Sequence, residues 1–306
     1  MKYTFLILHY NEAELTRTAI DSIKKLDAKG HSVDIVVVDN GSPNKSGEVL
    51  QREFEGDGQV HVILNPENGG FAKGNNEGFS YVKAQSSPAP DFLVVLNNDI
   101  TFPQNDFLDR LAKVYETSVP KFYVGGPDVY TPHIRSHISP LYSHVRDKVE
   151  AREAIAVLEK INADFKKGVS FGNYTRFLQE KYQSSKLLKL YNKLRRSEYD
   201  AGSAHDEPLY DCVLNGACLI FDKRYIEENI LLFEEKTFLY VEEDFLAKRM
   251  ARERKPVRYC PELKVDHVGQ GSSGFGKMSY KEYVRKNIAT NERCIESWKV
   301  YIESLD

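Results

Sequence analysis

The chain has 306 residues, of which 41% are hydrophobic and 28% are charged, and its formal net charge at pH 7 is −3. This composition is typical of one large globular unit or two joined halves, and the nearly neutral charge gives no electrostatic basis for nucleic-acid binding. No apolar run is long enough to cross a bilayer, the N-terminal run is too short for a signal peptide, and the four cysteines lack a metal-type C-x-x-C spacing. We therefore expect a cytoplasmic protein with reduced thiols.

Strands and helices alternate in the first hundred residues. Apolar, β-branched runs predict strands at residues 3–8, 33–38, 60–64 and 92–96. Apolar residues at helical spacing predict helices at 13–26 and 48–54, and a further helix is expected after residue 78. Because the elements alternate and the second strand is apolar on both faces, we expect an α/β fold with a mostly parallel, doubly wound sheet.

Polar or glycine-rich sequence follows each of these strands. Asp39 ends the second strand, where its carboxylate can accept from a nucleobase N–H group or from ribose hydroxyls; alternatively, it caps a turn with Gly41 and Ser42. The glycines of residues 69–78 either let the backbone approach a ligand or form a turn before the following helix. Their spacing fits neither a dinucleotide-binding fingerprint nor a P-loop.

The apolar run at residues 92–96 ends in Asn97, Asn98 and Asp99. Ligands bind at the carboxyl edge of a parallel sheet, where a carboxylate beside two amides can hold a hard divalent cation that also takes phosphate oxygens. The alternative is a turn, because Asn-Asn-Asp followed by Pro103 is also typical turn sequence.

Four segments in order, residues 7–11, 37–42, 68–76 and 96–99, resemble glycosyltransferase family 2 and are most similar to its rhamnosyltransferase-like bacterial members. The resemblance covers roughly the first two-fifths of the chain and resumes near residue 210. It implies the GT-A fold of nucleotide-diphosphosugar transferases, with a mostly parallel central sheet flanked by helices. It also implies a nucleotide-sugar donor and a divalent cation, Mn²⁺ or Mg²⁺.

In this resemblance, residues 97–99 stand in for the D-x-D motif of the family, with Asp99 as the metal ligand. The first Asp of that motif is replaced by Asn, which leaves one carboxylate. The resemblance places the donor nucleotide against Tyr10, Asn11, Asp39, Gly70, Lys73, Asn75, Asn97 and Asn98.

A lysine-, glutamate- and tyrosine-rich segment follows residue 128 and predicts a helical insertion at 129–207, with helices at 144–165 and 173–196. Within the second helix, residues 186–196 combine a leucine-rich stripe with lysines and arginines. Such a helix is a candidate for peripheral contact with an anionic membrane. Packing on its own domain or on a second subunit is the favoured alternative, because a core-facing helix shows the same stripe.

The second half of the chain carries two further motifs. Gly216 and Ala217 precede an apolar strand, and in the resemblance they line the sugar pocket; the alternative is a tight turn before a core strand. Glu242, Glu243 and Asp244 open a predicted helix, where acidic residues are favourable in any case. A carboxylate here could also act as a general base towards a sugar hydroxyl. This segment resembles the E-D-x-D-L motif of the family and places Glu243 on the base, with Glu242 and Asp244 as alternatives.

His267 follows a predicted strand and precedes a glycine- and serine-rich stretch that resembles the H-x-G-G-x-S segment of the family. The resemblance makes His267 a second metal ligand or a contact to the diphosphate. Histidine, carboxylate and phosphate oxygens together suit Mn²⁺ as well as Mg²⁺. Residues 279–305 predict a long amphipathic helix that packs on the domain or on the partner in a homodimer.

These observations predict a nucleotide-sugar-binding half at 1–128, the insertion at 129–207, an acceptor-side half at 208–278 and a C-terminal helix at 279–306. The resemblance implies an inverting, metal-dependent hexosyl- or deoxyhexosyltransferase that uses a UDP- or dTDP-sugar. Its acceptor would be a glycan or lipid-linked hydroxyl in bacterial surface polysaccharide synthesis, at the inner face of the plasma membrane. The alternatives are a sugar nucleotidyltransferase, whose N-terminal glycine-rich signature is absent after Leu8, and a non-catalytic glycan- or nucleotide-binding module.

Overall fold

A computed structural model describes residues 1–85, 87–132, 135–168, 174, 177, 205–268 and 278–305. In chain order the elements are β1 (Lys2–His9), α1 (Ala13–Lys24), β2 (Ser32–Asp39), α2 (Ser46–Glu53), β3 (Val60–Leu64), α3 (Gly70–Gln85), β4 (Phe92–Asn97), β5 (Ile100–Thr101), α4 (Phe107–Thr117), β6 (Val124–Thr131), β7 (Ser136–His137), α5 (Lys148–Lys166), β8 (Leu209–Tyr210), β9 (Cys218–Asp222), α6 (Lys223–Glu228), α7 (Glu242–Arg252), β10 (Val257–His267) and α8 (Tyr280–Glu303).

The strands form one sheet in the order β3-β2-β1-β4-β9-β6-β10-β5, and the short strands β7 and β8 pair with β6 and β10. Strands β1 to β4, β6 and β10 run in the same direction, whereas β9 runs antiparallel between β4 and β6. The prediction of a mostly parallel sheet flanked by helices is therefore confirmed. Because β9 begins opposite the end of β4, the residues just before β9 lie at the carboxyl end of β4.

Helices cover the sheet on both faces, which explains why the strands are apolar without alternation. In β1, Phe5 and Ile7 pack with Ile20 of α1 in one core cluster. Leu6 points to the other face and packs in a second cluster that contains residues of α3 and α7. Helices α3 and α7 therefore share a face of the sheet, and both approach its carboxyl edge.

The glycine-rich segment is helical, which corrects the expectation that a helix begins only after residue 78. Helix α3 begins at Gly70 and includes Gly74 and Gly78. A Cβ atom at Gly74 would lie 2.7 Å from Leu8 Cδ1, and one at Gly78 would overlap the side chain of Leu6. These two glycines therefore let α3 lie close to β1.

Helices α5 and α8 pack together beside α7, in a cluster that contains Phe245, Trp298 and Tyr301. Helix α5 begins four residues later than predicted, because Asp147 and Glu150 form a capping box there. All but residues 174 and 177 of the predicted helix at 173–196, with the candidate membrane contact at 186–196, lie outside the described residues, as do residues 269–277. In the part of the chain that is described, no helix has the length and hydropathy needed to cross a membrane. The four cysteines are free thiols.

Candidate active site

Asp99 and His267 are brought together by the backbone. Strands β5 and β10 pair antiparallel, with His267 opposite Ile100, and the N–H group of Val268 donates to the carbonyl oxygen of Asp99 at 3.0 Å. As a result, Asp99 Oδ1 lies 3.2 Å from His267 Nε2. The carboxylate is nearly buried, whereas 22% of the His267 side chain is exposed, so solvent reaches the pair through the imidazole.

These two side chains fit a divalent cation. Adjacent ligands of an octahedral ion with bonds of about 2.1 Å are separated by about 3 Å, which is close to the observed spacing. Within the described residues, no group of three or more His, Cys, Asp or Glu side chains is arranged to hold a metal. A cation at this pair would therefore take its other ligands from water and from phosphate oxygens, which hard cations accept readily.

The two amides before Asp99 have different surroundings. Asn98 Nδ2 donates to Thr16 Oγ1 at 3.1 Å, and that hydroxyl also bonds His9 Nδ1 at 2.7 Å. Asn98 therefore ties the end of β4 to α1. Asn97 is partly exposed, and its backbone N–H group donates to the carbonyl oxygen of Ala217 at 3.0 Å. This bond joins the end of β4 to the residues that precede β9.

Asp39 adopts the turn-capping role that the sequence left open. Its carboxylate accepts from the hydroxyl of Ser42 and from the Ser42 N–H group, the latter at 3.3 Å. A Cβ atom at Gly47 would overlap the same carboxylate. His9 Nε2 lies 3.9 Å from Asp39 Oδ1, and burial lowers the pKa of His9 although Asp39 opposes the shift. The turn after β2 is thus a buried polar network that includes His9, a residue to which the sequence assigned no role.

Two side chains of the predicted nucleotide site contain buried oxygen atoms that have no hydrogen-bond partner among the described residues. Asn11 has a left-handed backbone (φ 67°) and its N–H group donates to Ser42 Oγ at 2.8 Å. Among the described residues, no group donates to Asn11 Oδ1 or to Asn75 Oδ1, and both atoms are buried. Because unsatisfied buried acceptors are costly, these oxygens suit the N–H or hydroxyl groups of a bound nucleoside. Tyr10 is half-buried, and the exposed ammonium of Lys73 lies 3.9 Å from Glu67 Oε1.

Gly70 lies against Phe238, so the start of α3 contacts the segment before α7. Its φ is +83°, and a Cβ atom there would overlap the carbonyl oxygen of Phe238. That oxygen accepts from the N–H group of Phe71 at 3.0 Å. Asn40 supports this turn, because its Nδ2 atom donates to the carbonyl oxygen of Gly70 at 2.9 Å and its Oδ1 atom accepts from the Gly69 N–H group at 3.1 Å. The positive φ of Gly70 therefore serves an approach to the segment that leads into α7, and contact of Gly70 with the donor nucleotide stays a prediction.

The three carboxylates at the start of α7 have distinct environments. Burial raises the pKa of Glu242 to about 8, and the neighbouring Glu243 adds to this shift. Asp244 is buried and receives two hydrogen bonds from Arg146, at 2.9 and 2.7 Å. Glu243 is only partly buried, and its Oε1 atom accepts from the N–H group of Gly216 at 3.1 Å. Desolvation, followed by the charge of Asp244, raises the pKa of Glu243.

Glu243 is thus the carboxylate best placed to exchange a proton with a ligand. Both oxygens of Asp244 accept hydrogen bonds from Arg146, and burial favours the neutral form of Glu242 by raising its pKa. Gly216 and Ala217, which contact Glu243 and Asn97 respectively, link the carboxylate to the end of β4 and hence to Asp99. The turn before α7 has two consecutive left-handed residues, at φ values of 78° and 72°, and such backbone strain is typical of functional sites.

Comparisons with known proteins agree with this architecture. Residues 4–153 match the model of the family described as glycosyl transferase family 2. No curated protein matches the chain.

We describe three of the solved structures that share the fold. One is GalNAc-T7 with UDP, GalNAc and Mn²⁺ (TM-score 0.55, 12% identity, 98% of this chain and 49% of the other). Another is the mannosyltransferase PcManGT from Pyrobaculum calidifontis with GDP-Man and Mn²⁺ (TM-score 0.50, 15% identity, 98% and 69%). The third is S. aureus TarS 1–349 (TM-score 0.50, 12% identity, 95% and 65%).

The chain spans about half of the length of GalNAc-T7 and about two-thirds of the length of the other two. At these identities the likeness concerns the fold. The protein therefore has the mixed α/β architecture of GT-A glycosyltransferases, and residues 4–153 match glycosyl transferase family 2.

Proposed function

We propose that the protein is a metal-dependent glycosyltransferase that moves a sugar from a nucleoside-diphosphate sugar to an acceptor hydroxyl with inversion at the anomeric carbon. The observation that carries this proposal is the meeting of two features at one edge of the sheet. These are the Asp99–His267 pair, spaced at 3.2 Å, and the partly buried carboxylate of Glu243. The family match over residues 4–153 and the nucleotides and Mn²⁺ present in two of the similar structures support it.

Asp99 and His267 would hold the divalent cation, which when bound supplies positive charge beside the diphosphate as negative charge develops on it. The two residues need no rearrangement to do so, because backbone pairing of β5 with β10 fixes their separation. The buried oxygens of Asn11 and Asn75 offer acceptors to the nucleoside. Donor binding would therefore use the ends of β1, β4 and β10 together with α3.

Glu243 would act as the general base. A sugar hydroxyl is a poor nucleophile at neutral pH, so its proton must move to a base as its oxygen bonds to the anomeric carbon. The bond from that carbon to the diphosphate oxygen breaks on the opposite face, and Glu243 keeps the proton. Desolvation raises its pKa, which strengthens the carboxylate as a proton acceptor. The Gly216 N–H group orients one carboxylate oxygen.

The finer parts of the proposal rest on the four motifs that resemble the rhamnosyltransferase-like branch. They are a UDP- or dTDP-linked hexose or deoxyhexose as donor, a glycan or lipid-linked acceptor, and a role in bacterial surface polysaccharide synthesis at the inner face of the plasma membrane. Contact of residues 186–196 with that membrane rests only on their basic amphipathic pattern, and packing on the same domain or on a second subunit in a homodimer is the favoured alternative.

A thermal-shift screen of UDP-, dTDP- and GDP-sugars with Mn²⁺ would identify the donor, and a transfer assay over an acceptor panel would follow. Glu243→Gln should bind the donor normally and lose turnover by about a hundredfold or more. Glu242→Gln is the matched control, because it replaces a largely neutral acid with a neutral amide and should keep most of the turnover. Normal turnover in Glu243→Gln would refute the assignment of the base.

Two other assay results would refute the proposed function as a whole. Release of pyrophosphate from a sugar 1-phosphate and a nucleoside triphosphate would identify a nucleotidyltransferase. Donor binding without transfer to any acceptor or to water would identify a binding module. An axial-to-equatorial change at the anomeric proton, or its reverse, read by NMR in the first product formed, would establish inversion.

A further inference from the structure

The carboxylate next to the proposed base is paired with an arginine that comes from outside the sheet. Arg146 lies between β7 and α5, 98 residues from Asp244 in the sequence. Its Nε and Nη2 atoms donate to the two oxygens of Asp244 at 2.9 and 2.7 Å. Only 8% of the arginine side chain and 2% of the aspartate side chain are exposed. This is a bidentate, buried ion pair in the first turn of α7.

Aromatic rings hold the guanidinium of Arg146. Its central carbon lies 3.6 Å from the ring centre of Tyr142 and 3.9 Å from that of Trp298. The hydroxyl of Tyr301 donates to the carbonyl oxygen of Arg146 at 2.9 Å. Tyr142 belongs to the segment of Arg146, whereas Trp298 and Tyr301 belong to α8, so the C-terminal helix fixes both the side chain and the backbone of the arginine.

The segment that carries Arg146 also binds the loop that contains Gly216, whose N–H group donates to Glu243. Leu141 donates to the carbonyl oxygen of Val213 at 2.8 Å, and Val213 donates to that of Tyr142 at 2.9 Å. Val213 lies three residues before Gly216, whose N–H group binds Glu243. Residues 141–146 therefore anchor both the helix turn that carries Glu243 and the loop that orients its carboxylate.

Stability alone does not explain this arrangement. A buried ion pair loses about as much solvation as it gains in attraction, and well-packed apolar side chains often replace one at no cost in stability. The carboxylates of residues 242–244 also place like charges next to each other in a buried turn, which disfavours their ionisation. Arg146 is the positive charge that opposes this effect at Glu243, whereas Asp244 acts in the other direction.

We propose that Arg146 is a positioning residue for the proposed base, which fixes the first turn of α7 through Asp244 and offsets the negative charge crowded around Glu243. This inference rests on the proposed function for the role of Glu243 in turnover. It gives the C-terminal helix and the segment before α5 a part in catalysis, although neither reaches the Asp99–His267 pair in any described contact.

The test separates geometry from charge. Arg146→Lys keeps the positive charge but cannot form two parallel hydrogen bonds or stack as a plane. It should lower kcat by about tenfold or more, because a base displaced by a fraction of an ångström loses much of its efficiency. The KM for the donor should change less than about twofold, since the donor edge is built by other strands, and Glu243 should titrate as in the wild type.

Asp244→Asn removes the neighbouring negative charge and leaves that of Arg146, so the pKa of Glu243 should fall by about half a unit or more. The double variant Arg146→Gln/Asp244→Asn leaves no unpaired buried charge, so it keeps the fold even where a single change does not. In it the pKa of Glu243 should return towards the wild-type value, while kcat stays low.

The titration of Glu243 can be followed directly by NMR in protein labelled with ¹³C at the glutamate side-chain carboxyls, with Glu243→Gln to identify the resonance. This measurement needs no turnover, so its failure is distinguishable from failure of the proposed function. Wild-type kcat in Arg146→Lys, or a Glu243 titration that is the same in Asp244→Asn and in the wild type, would overturn the inference.

Discussion

The contact between Gly70 and Phe238 allows a matched test of how α3 is attached to the segment before α7. Gly70 and Gly30 both have positive φ angles, +83° and +75°. A Cβ atom at Gly30 would have no atom within 4 Å, whereas one at Gly70 would overlap the carbonyl oxygen of Phe238. The substitutions Gly30→Ala and Gly70→Ala therefore share the cost of a left-handed alanine and differ in the steric contact.

The shared cost is about 1–2 kcal/mol for the backbone conformation, partly offset by the reduced entropy of the unfolded chain. At Gly70 the methyl group must also displace a backbone carbonyl, and the hydrogen bond from Phe71 to Phe238 is lost or lengthened. Overpacking costs about 1–3 kcal/mol and a lost hydrogen bond about 1 kcal/mol. We expect Gly70→Ala to be less stable than Gly30→Ala by about 2–4 kcal/mol.

Equilibrium unfolding in guanidinium chloride measures this difference from the transition midpoints, provided that the slope is the same in both variants. Gly70→Ala should also lower kcat, because Phe238 lies only a few residues before the strained turn that leads to Glu243. Equal losses of stability in the two variants would refute the steric argument. A stability difference without any change in kcat would show that the turn is not coupled to catalysis.

Three further predictions concern buried polar groups. Asp99→Ala should weaken Mn²⁺-dependent nucleotide binding at least about tenfold in calorimetry, since one of two protein ligands is lost; unchanged affinity would contradict the metal site. The pKa of Glu242 is about 8 in the folded state and 4.5 in its ordinary state. Between these pH values the native state therefore binds more protons than the unfolded state. The free energy of unfolding should fall as the pH rises through this range. Glu242→Gln should flatten that decline in urea unfolding. Asn76→Ala should cost about 3 kcal/mol or more, because the buried amide accepts from the N–H groups of Leu232 and Phe233 and also donates to the Phe233 carbonyl oxygen; a loss below 1 kcal/mol would contradict this role.

Local pattern was sufficient for most of the elements in the first half. Strand β3 has the bounds that its apolar run predicts, and β1 and β2 extend the predicted runs by one residue at each end. These strands are buried on both faces, so their composition alone identifies them. The direction of β9 could not be predicted in this way. The sequence of a short apolar strand does not indicate whether it runs parallel or antiparallel to its neighbours.

The start of α3 shows where local propensity is overridden. Glycine costs about 1 kcal/mol in a helix interior, and several glycines in succession predict a turn. The segment is nevertheless helical. Glycine at positions 74 and 78 lets the helix pack closely against the side chains of β1. Tertiary contact supplies the stabilisation that the helix lacks, and no property of the segment itself reveals it.

The motif positions were sufficient to predict that Asp99 and His267 come together, and the structure places the two side chains side by side; their role as metal ligands stays a prediction. They were not sufficient for Arg146, Trp298 or Asn40. Arg146 is followed by a polar helix and shows no periodic relation to Asp244, so its pairing depends on the path of the chain between them. The sequence around Asn40 indicates only a turn after Asp39. It does not indicate that the Asn40 side chain supports the turn at Gly70.

The hydrogen bond from Val268 to Asp99 and the pairing of β5 with β10 also determine how readily this site can be retuned. The main chain sets the relative position of residues 99 and 267, so a new side chain at either position starts from the same backbone frame. An aspartate in place of His267 would make the protein donors all oxygen, a set that favours magnesium over softer ions. Ion preference could therefore diverge between descendants of this protein through a single codon, with no change to the sheet.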